Sequence, residues 1–282
     1  MQKLALLCCL PVLCMLWASC GGTHTTNVQQ SNVAAASYTV GTPILYIDGT
    51  PDSQGNQLYA YLIRPDGSLS FLQGVNSLAA AVSSGQFIYT VAQAQGNNLN
   101  AYGWQPRADG TLVPVPGSPF SVMGGGDTQV LCGKYYYVSI PFNWGALYGY
   151  NIAANGALSP IPGSPNDSGS RVYMPFSDPS CQHLFLPVAA EYQVFAIDPA
   201  TGMLTLLSNT PGSHLPSTSV TDDSGKYLYN FTLSDQGSLI YVYQITSNGT
   251  LTQIPGSPFT VPAVVEVDAA YSIATPTGNY IY

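Results

Sequence analysis

Five glycines, Gly67, Gly110, Gly156, Gly202 and Gly249, stand 43, 46, 46 and 47 residues apart, each followed after one residue by leucine. The segments are Asp66-Gly67-Ser68-Leu69, Asp109-Gly110-Thr111-Leu112, Asn155-Gly156-Ala157-Leu158, Thr201-Gly202-Met203-Leu204 and Asn248-Gly249-Thr250-Leu251. A fixed period of this size means stacked copies of one supersecondary unit. Asn-Gly and Asp-Gly between apolar alternations read as hairpin turns in which both central residues take φ > 0.

Each turn is preceded by an alternating strand, as in Leu58-Tyr59-Ala60-Tyr61, Leu147-Tyr148-Gly149-Tyr150 and Ile240-Tyr241-Val242-Tyr243. Another strand lies upstream with its own turn, as in Gly133-Lys134-Tyr135-Tyr136-Tyr137 and Gly225-Lys226-Tyr227-Leu228-Tyr229. After the Gly-x-Leu strand comes Pro-Gly-Ser-Pro-Phe at 116–120 and 255–259, with variants at 162–165 and 211–213. Four short strands in about 46 residues is the arithmetic of a β-propeller blade. The expected fold is all-β: a β-propeller of four-stranded antiparallel blades, five complete and a sixth partial where the sequence stops at Tyr282. A half-built blade would leave open strand edges, so the sequence is expected to be a fragment cut off at its C-terminus; the alternative is a ring completed by a partner or a second copy. Only 7% of residues are charged, yet 46% are apolar, which excludes disorder as the main state. A net charge of −8 argues against a nucleic-acid partner.

Asp222-Asp223-Ser224-Gly225-Lys226-Tyr227-Leu228-Tyr229 and the Pro-Gly-Ser-Pro-Phe segments resemble the seven-bladed lactonase-like propellers, which include 6-phosphogluconolactonase-type enzymes and YVTN-repeat surface proteins. The resemblance covers residues 41–282. It implies the fold more strongly than an activity, because the matching residues are turns and core strands.

The N-terminus reads as an address. Lys3 precedes the apolar run Leu4–Trp17, which suits a signal peptide over residues 1–19. Ala18-Ser19-Cys20 resembles a bacterial lipobox, with Cys20 as the lipidated residue, although Trp17 departs from the usual aliphatic. Residues 20–40 hold no acidic residue and no Lys or Arg, and suit a lipid-anchored flexible tether. The expected localisation is the cell envelope, with membrane lipid as a partner. Cys132 and Cys181 are the only cysteines after the tether. Equivalent points on neighbouring blades are often farther apart than the roughly 7 Å a bridge tolerates. Two packed thiols are the expectation, with a disulfide permitted by export.

In a propeller the second–third and fourth–first connections share one end, here called upper, where ligands usually sit. That end receives Asp48, Asp52, Asp127, Asp167, Glu191, Asp235, Glu266 and Asp268, with Arg171 as the fixed cation. Arg64, Arg107, Lys134, Lys226, Asp66, Asp109, Asp178, Asp198, Asp222 and Asp223 fall at lower turns, and His183 reads as a surface residue beside them. An acidic mouth repels a phosphosugar. Lactone hydrolysis needs a base for water and a donor for the oxyanion. His214, at the start of the fifth repeat, Arg171, at the corresponding place in the fourth, Glu191, in a second–third loop, and Glu266, opening the sixth, are the candidates. The alternative for each is a loop residue with a local hydrogen bond. Asp127, Arg171, Glu191 and His214 are the candidate binding residues.

Asp48–Asn56 has oxygen ligands at intervals but not EF-hand spacing, and reads as a long hairpin loop. Gly124-Gly125-Gly126-Asp127 reads as an inter-blade loop. There is no P-loop, Gly-x-Ser-x-Gly elbow or His-Glu-x-x-His, so no cofactor or metal is expected. Two readings follow: a lipid-anchored binding or display propeller whose ligand is a glycan or an envelope protein, and a lactonase-like hydrolase.

Overall fold

A strand that alternates apolar residues on both faces must be covered on both faces, and this sequence answers with a row of stacked sheets. The computed structural model describes residues 44–49, 57–76, 79–83, 86–93, 98–123, 129–140, 145–169, 172–188, 191–211, 218–222, 224–232 and 238–261. The first sheet holds β1 (Ile44–Gly49), β2 (Gln57–Ile63) and β3 (Leu69–Asn76). The second holds β4 (Ala79–Ser83), β5 (Ile88–Gln93), β6 (Asn98–Pro106), β7 (Leu112–Pro114) and β8 (Phe120–Met123). The third holds β9 (Gln129–Cys132), β10 (Tyr135–Ile140), β11 (Ala146–Ile152), β12 (Leu158–Pro160) and β13 (Asn166–Asp167). The fourth holds β14 (Phe176–Ser177), β15 (His183–Val188), β16 (Glu191–Ile197) and β17 (Leu204–Pro211). The fifth holds β18 (Thr218–Thr221), β19 (Tyr227–Thr232), β20 (Ser238–Ile245), β21 (Leu251–Gln253) and β22 (Phe259–Val261). Pairing is antiparallel and sequential within each sheet. Four of the five expected sheets show all four strand positions, and the first shows three among the described residues.

The core is divided into four layers, one per joint between neighbouring sheets. Tyr46, Leu58 and Ala60 meet Ile88 and Leu112 at the first joint. Tyr89, Val91 and Val115 meet Tyr136, Val138 and Tyr150 at the second. Tyr137, Leu147 and Ile161 meet Leu184, Leu186 and Phe195 at the third. Phe185, Tyr192 and Val194 meet Leu228, Tyr241 and Tyr243 at the fourth. The first strands of successive sheets run beside one another, β4 by β9, β9 by β14 and β14 by β18.

The hairpin turns differ from expectation in one respect. Only the glycine takes positive φ, at 79° in Gly67, 82° in Gly110, 83° in Gly156, 72° in Gly202 and 78° in Gly249. The preceding Asp or Asn instead folds its side chain back: Asp66 Oδ1 accepts the Ser68 N–H at 2.9 Å, and Asp109 Oδ1 accepts that of Thr111 at 2.9 Å. This Asx turn needs no left-handed aspartate. Each turn glycine also serves the next joint. Tyr46 donates to the Gly110 carbonyl at 3.3 Å, Tyr89 to that of Gly156 at 2.7 Å, and Tyr137 to that of Gly202 at 2.8 Å.

Pro-Gly-Ser-Pro does not follow the fourth strand; it interrupts it. β7 and β8 pair with opposite ends of β6, and β12 and β13 do the same on β11, as do β21 and β22 on β20. The interrupting turn displaces the backbone, and its serine replaces the missing acceptor. Ser118 Oγ accepts the Gly103 N–H at 3.1 Å, Ser164 Oγ that of Gly149 at 2.7 Å, and Ser257 Oγ that of Val242 at 2.9 Å. The Ser118–Pro119, Ser164–Pro165 and Ser257–Pro258 bonds are cis. The first and fourth sheets use β-bulges at Ala60/Tyr61 and Val194/Phe195 instead.

Two further expectations are corrected. Cys132 and Cys181 form a disulfide, with Cα atoms 5.3 Å apart. Cys132 closes β9, and the adjacent first strands converge there more closely than the blade spacing suggests. His183 is buried, not a surface residue, at 8% exposure. It opens β15 beneath the Gly249 turn of the next repeat, where a Cβ on Gly249 would lie 3.3 Å from His183 Cδ2. Its partner Asp178, also buried, organises the turn: Oδ1 accepts the N–H groups of Gln182 and His183 at 2.9 and 3.0 Å, and Oδ2 accepts the Ser180 hydroxyl at 2.8 Å.

Candidate functional site

The upper end is built from the second–third and fourth–first connections. Asp127, Arg171, His214 and Glu266 all fall in such segments and lie outside the described residues, as do Cys20 and the Asp52–Asn56 part of the candidate cation loop. Glu191 is described. It opens β16 and does not sit in a loop, pairing with Val188 on one side and Pro211 on the other. Successive strand residues face opposite ways. Glu191 therefore shares a face with Gln193, whose Nε2 donates to the Ser168 carbonyl at 3.3 Å. Asp167 is exposed and caps its own loop, accepting the Gly169 N–H at 2.8 Å.

The opposite face of β16 leads to a feature that the sequence reading missed. Tyr192, Ser219, Asn230 and Thr232 gather between the fourth and fifth sheets, toward the upper ends of β16, β18 and β19. The Tyr192 and Ser219 hydroxyls are 3.0 Å apart. Burial pushes the Tyr192 phenol well up, against the smaller pulls of the Ser219 hydroxyl and the Asn230 amide. Asn230 is 1% exposed; among the described residues its amide makes no close hydrogen bond beyond its pull on the Tyr192 phenol, and the buried Thr232 Oγ1 makes none. Leaving such groups unpaired costs about 1–3 kcal/mol each, so an unsatisfied cluster calls for an explanation. The signal was present in the sequence. The strand Tyr227-Leu228-Tyr229-Asn230-Phe231-Thr232 carries asparagine, a poor strand former, where the second and third sheets carry Thr90 and Val138.

Chemically the cluster is neutral. It offers donors and acceptors for a hydroxyl group, but amides and hydroxyls are not bases that activate water near neutral pH. The His183–Asp178 pair, 3.3 Å apart, is at the lower end and buried under the next repeat. Among the described residues no three His, Cys, Asp or Glu side chains gather as a metal site, and no helix is long and apolar enough to cross a membrane.

No family model matches the chain, and no curated protein does. Solved structures do. A candidate 6-phosphogluconolactonase from Bacteroides uniformis superposes with a TM-score of 0.67 at 17% identity, covering 86% of this chain and 74% of that one. The fold is a β-propeller. The periplasmic gluconolactonase PpgL of Pseudomonas aeruginosa gives 0.59 at 16% identity, covering 77% of this chain and 69% of that one. Kluyveromyces lactis Hsv2 gives 0.53 at 13%, covering 82% and 72%. Lactonase-named propellers and Hsv2 share this architecture, so at these identities the likeness extends to the fold and to no particular chemistry.

Proposed function

We propose that this propeller is an exported binding module for a neutral, hydroxyl-rich ligand, a glycan, held to the envelope membrane through lipidated Cys20. The observation that carries the reading is the buried pair Asn230 and Thr232, beside Tyr192 and Ser219, whose polar atoms make no close hydrogen bond among the described residues. Amide and hydroxyl groups without formal charge match sugar hydroxyls and offer nothing to a phosphate. The disulfide supports an oxidising compartment, where such bonds persist. The test is titration of the full chain with neutral and phosphorylated oligosaccharides. Saturable binding of neutral glycans, lost in the Asn230→Leu/Thr232→Val variant, is expected. Binding unchanged in that variant, or confined to phosphorylated sugars, removes the reading. Labelling with a radioactive fatty acid, abolished by Cys20→Ser, tests the anchor; a label retained by that variant refutes it.

A second reading is a lactone hydrolase, with His214, Arg171, Glu191 and Glu266 as its groups. It is favoured by the fold likeness to PpgL. Turnover of sugar lactones, reduced at least about a hundredfold by His214→Ala or Glu191→Ala, supports it on the usual scale of general acid–base catalysis. No turnover on any lactone sinks it.

A further inference from the structure

The fourth sheet breaks the repeat at its outer lower corner. The residue after the turn glycine is Ser68, Thr111, Ala157 or Thr250 in the other sheets, but Met203 here. Two places beyond the Gly-x-Leu leucine stand Pro114 in β7, Pro160 in β12 and Gln253 in β21, but Leu206 in β17. One place further the second and third sheets bury Val115 and Ile161 at 2% and 4% exposure, whereas Leu207 is 40% exposed. Met203 and Leu206 are 45% and 49% exposed. The third and fifth sheets both pack against the fourth, so this corner stays open with both neighbours in place.

The three side chains form one strip. Met203 reaches the interrupting turn of the third sheet, where a Cβ on Gly163 would lie 3.7 Å from Met203 Cε. Leu207 reaches the lower turn of the fifth, where a Cβ on Gly249 would lie 2.7 Å from Leu207 Cδ1. No residue of β17 carries a charge. Three side chains, each about half exposed, fall short of the roughly 1,000 Å² that a stable protein interface buries. A lipid surface asks for less when the domain is already held beside it, because tethering makes docking an intramolecular step.

Two further observations favour lipid. Ile44, the first residue of β1, pairs with Leu62 beside the Arg64–Ser68 turn, so the chain arriving from Cys20 enters at the lower end, the end of Met203. Among the described residues, the charges that reach solvent at that end balance: Arg64, Arg107, Lys134 and Lys226 against Asp66, Asp109, Asp198 and Asp222. A zwitterionic headgroup layer meets no strong field there.

We infer that Met203, Leu206 and Leu207, at the outer lower corner of the fourth sheet, insert into the surface of a zwitterionic lipid bilayer. The choice of lipid rests on the anchor at Cys20 proposed above. Side chains of this kind settle at the boundary of headgroups and acyl chains. Lys134, whose Nζ donates to the Ala200 carbonyl of the same turn at 3.4 Å, stands at the height of the phosphates. The upper connections then face away from the membrane.

The test is flotation of the unlipidated full chain, Cys20→Ser, with phosphatidylcholine vesicles. The chain floats with them. Adding Met203→Thr and Leu206→Gln, which the fifth sheet carries at these places as Thr250 and Gln253, weakens partitioning at least about tenfold, since the buried apolar area is lost. Leu206→Trp fluorescence shifts to the blue and is quenched by brominated phosphatidylcholine. Tryptophan in place of Met174, which is 53% exposed beside the Val172–Val188 bridge toward the upper end, is not quenched. A Cys20→Ser chain that stays behind the vesicles, equal partitioning of the double variant, or equal quenching at both tryptophans overturns the inference. So does self-association without vesicles that the double variant abolishes, which gives the corner to a second copy. The anchor fails separately, by fatty-acid label retained in Cys20→Ser, whatever that chain does with vesicles.

Discussion

Gly67 and Gly202 hold the same place in two repeats, with φ of 79° and 72°, but among the described residues only Gly202 has a sheet packed against it. A Cβ at Gly202 would lie 2.4 and 2.5 Å from Tyr135 ring carbons and 2.8 Å from Ile161 Cδ1. Alanine at either site meets the left-handed backbone, which costs roughly 1–2 kcal/mol and is offset by roughly 0.4–1 kcal/mol from the stiffer unfolded chain. Gly67→Ala should therefore cost about 1 kcal/mol. Gly202→Ala must also push aside two buried side chains, and overpacking of this kind costs roughly 1–3 kcal/mol more. It also disturbs the carbonyl that accepts from Tyr137. The expected loss is about 2–4 kcal/mol. Urea titration gives both values as midpoint shifts at unchanged slope. Equal losses would refute the reasoning, because the turn glycines would then serve only backbone conformation and not the joint between sheets.

Reduction of the Cys132–Cys181 bond, which spans 49 residues, should cost about 4 kcal/mol by loop entropy, read as a fall in urea midpoint under reductant. In a Cys132→Ala background, Cys181→Gly should be more stable than Cys181→Ala, since residue 181 has φ of 56° where Gly225 of the next repeat has 66°. Burial, with a smaller push from Asp109, raises the Tyr46 phenol from 10.0 to about 12. Its folded value lies above its unfolded one, so its contribution is fully present below pH 10 and is lost as pH rises through about 12. Tyr46→Phe should flatten the fall in urea midpoint over that window, and an unchanged slope would count against the assignment. Asn230→Leu with Thr232→Val removes unpaired polar atoms from a buried site and should raise stability by roughly 1 kcal/mol or more. A loss of several kcal/mol would mean that these groups are paired in solution.

What the sequence conveys and what it hides divide along the range of the interactions. The five Gly-x-Leu turns are local chemistry, so the sheets and their outer strands could be read from Gly67, Gly110, Gly156, Gly202 and Gly249. The interruption of the outer strand could not be read from Pro-Gly-Ser-Pro. It shows only when Ser118, Ser164 and Ser257 meet a backbone N–H 15 residues upstream. The cysteine bridge depends on how far apart two adjacent first strands run, and His183 is buried by a turn that lies in the next repeat. Neither distance is written in the spacing. The candidate site was less legible for a related reason. Asp127, Arg171, His214 and Glu266 belong to stretches that vary from repeat to repeat, so alignment to the period gives only an expected end of the ring and nothing finer. Asn230 belonged to the repeat itself, and its mismatch with Thr90 and Val138 was the stronger signal.

The scarcity of charge acquires a mechanical cause from the joints. The second, third and fourth sheets are covered on both faces by neighbouring sheets, which leaves a charge only turns and edges to occupy. At the lower end three of the carboxylates are already committed. Asp66 and Asp109 are held below the usual carboxylate range by the serine or threonine two residues on, and Asp198 by the Thr201 and Ala200 amides. An aspartate that accepts its own turn's hydrogen bonds is a poor base, because protonation must first break them. Asp66, Asp109 and Asp198 therefore serve the structure of their turns. In the strands, polar chemistry is confined to groups that a sheet joint tolerates without charge, namely tyrosine, threonine, serine, glutamine and asparagine. Several of these are satisfied across a joint, as Tyr137 is by Gly202 and Tyr89 by Gly156. Among the described residues Asn230 and Thr232 are left without a close hydrogen bond, and that is the capacity the proposed neutral ligand would use.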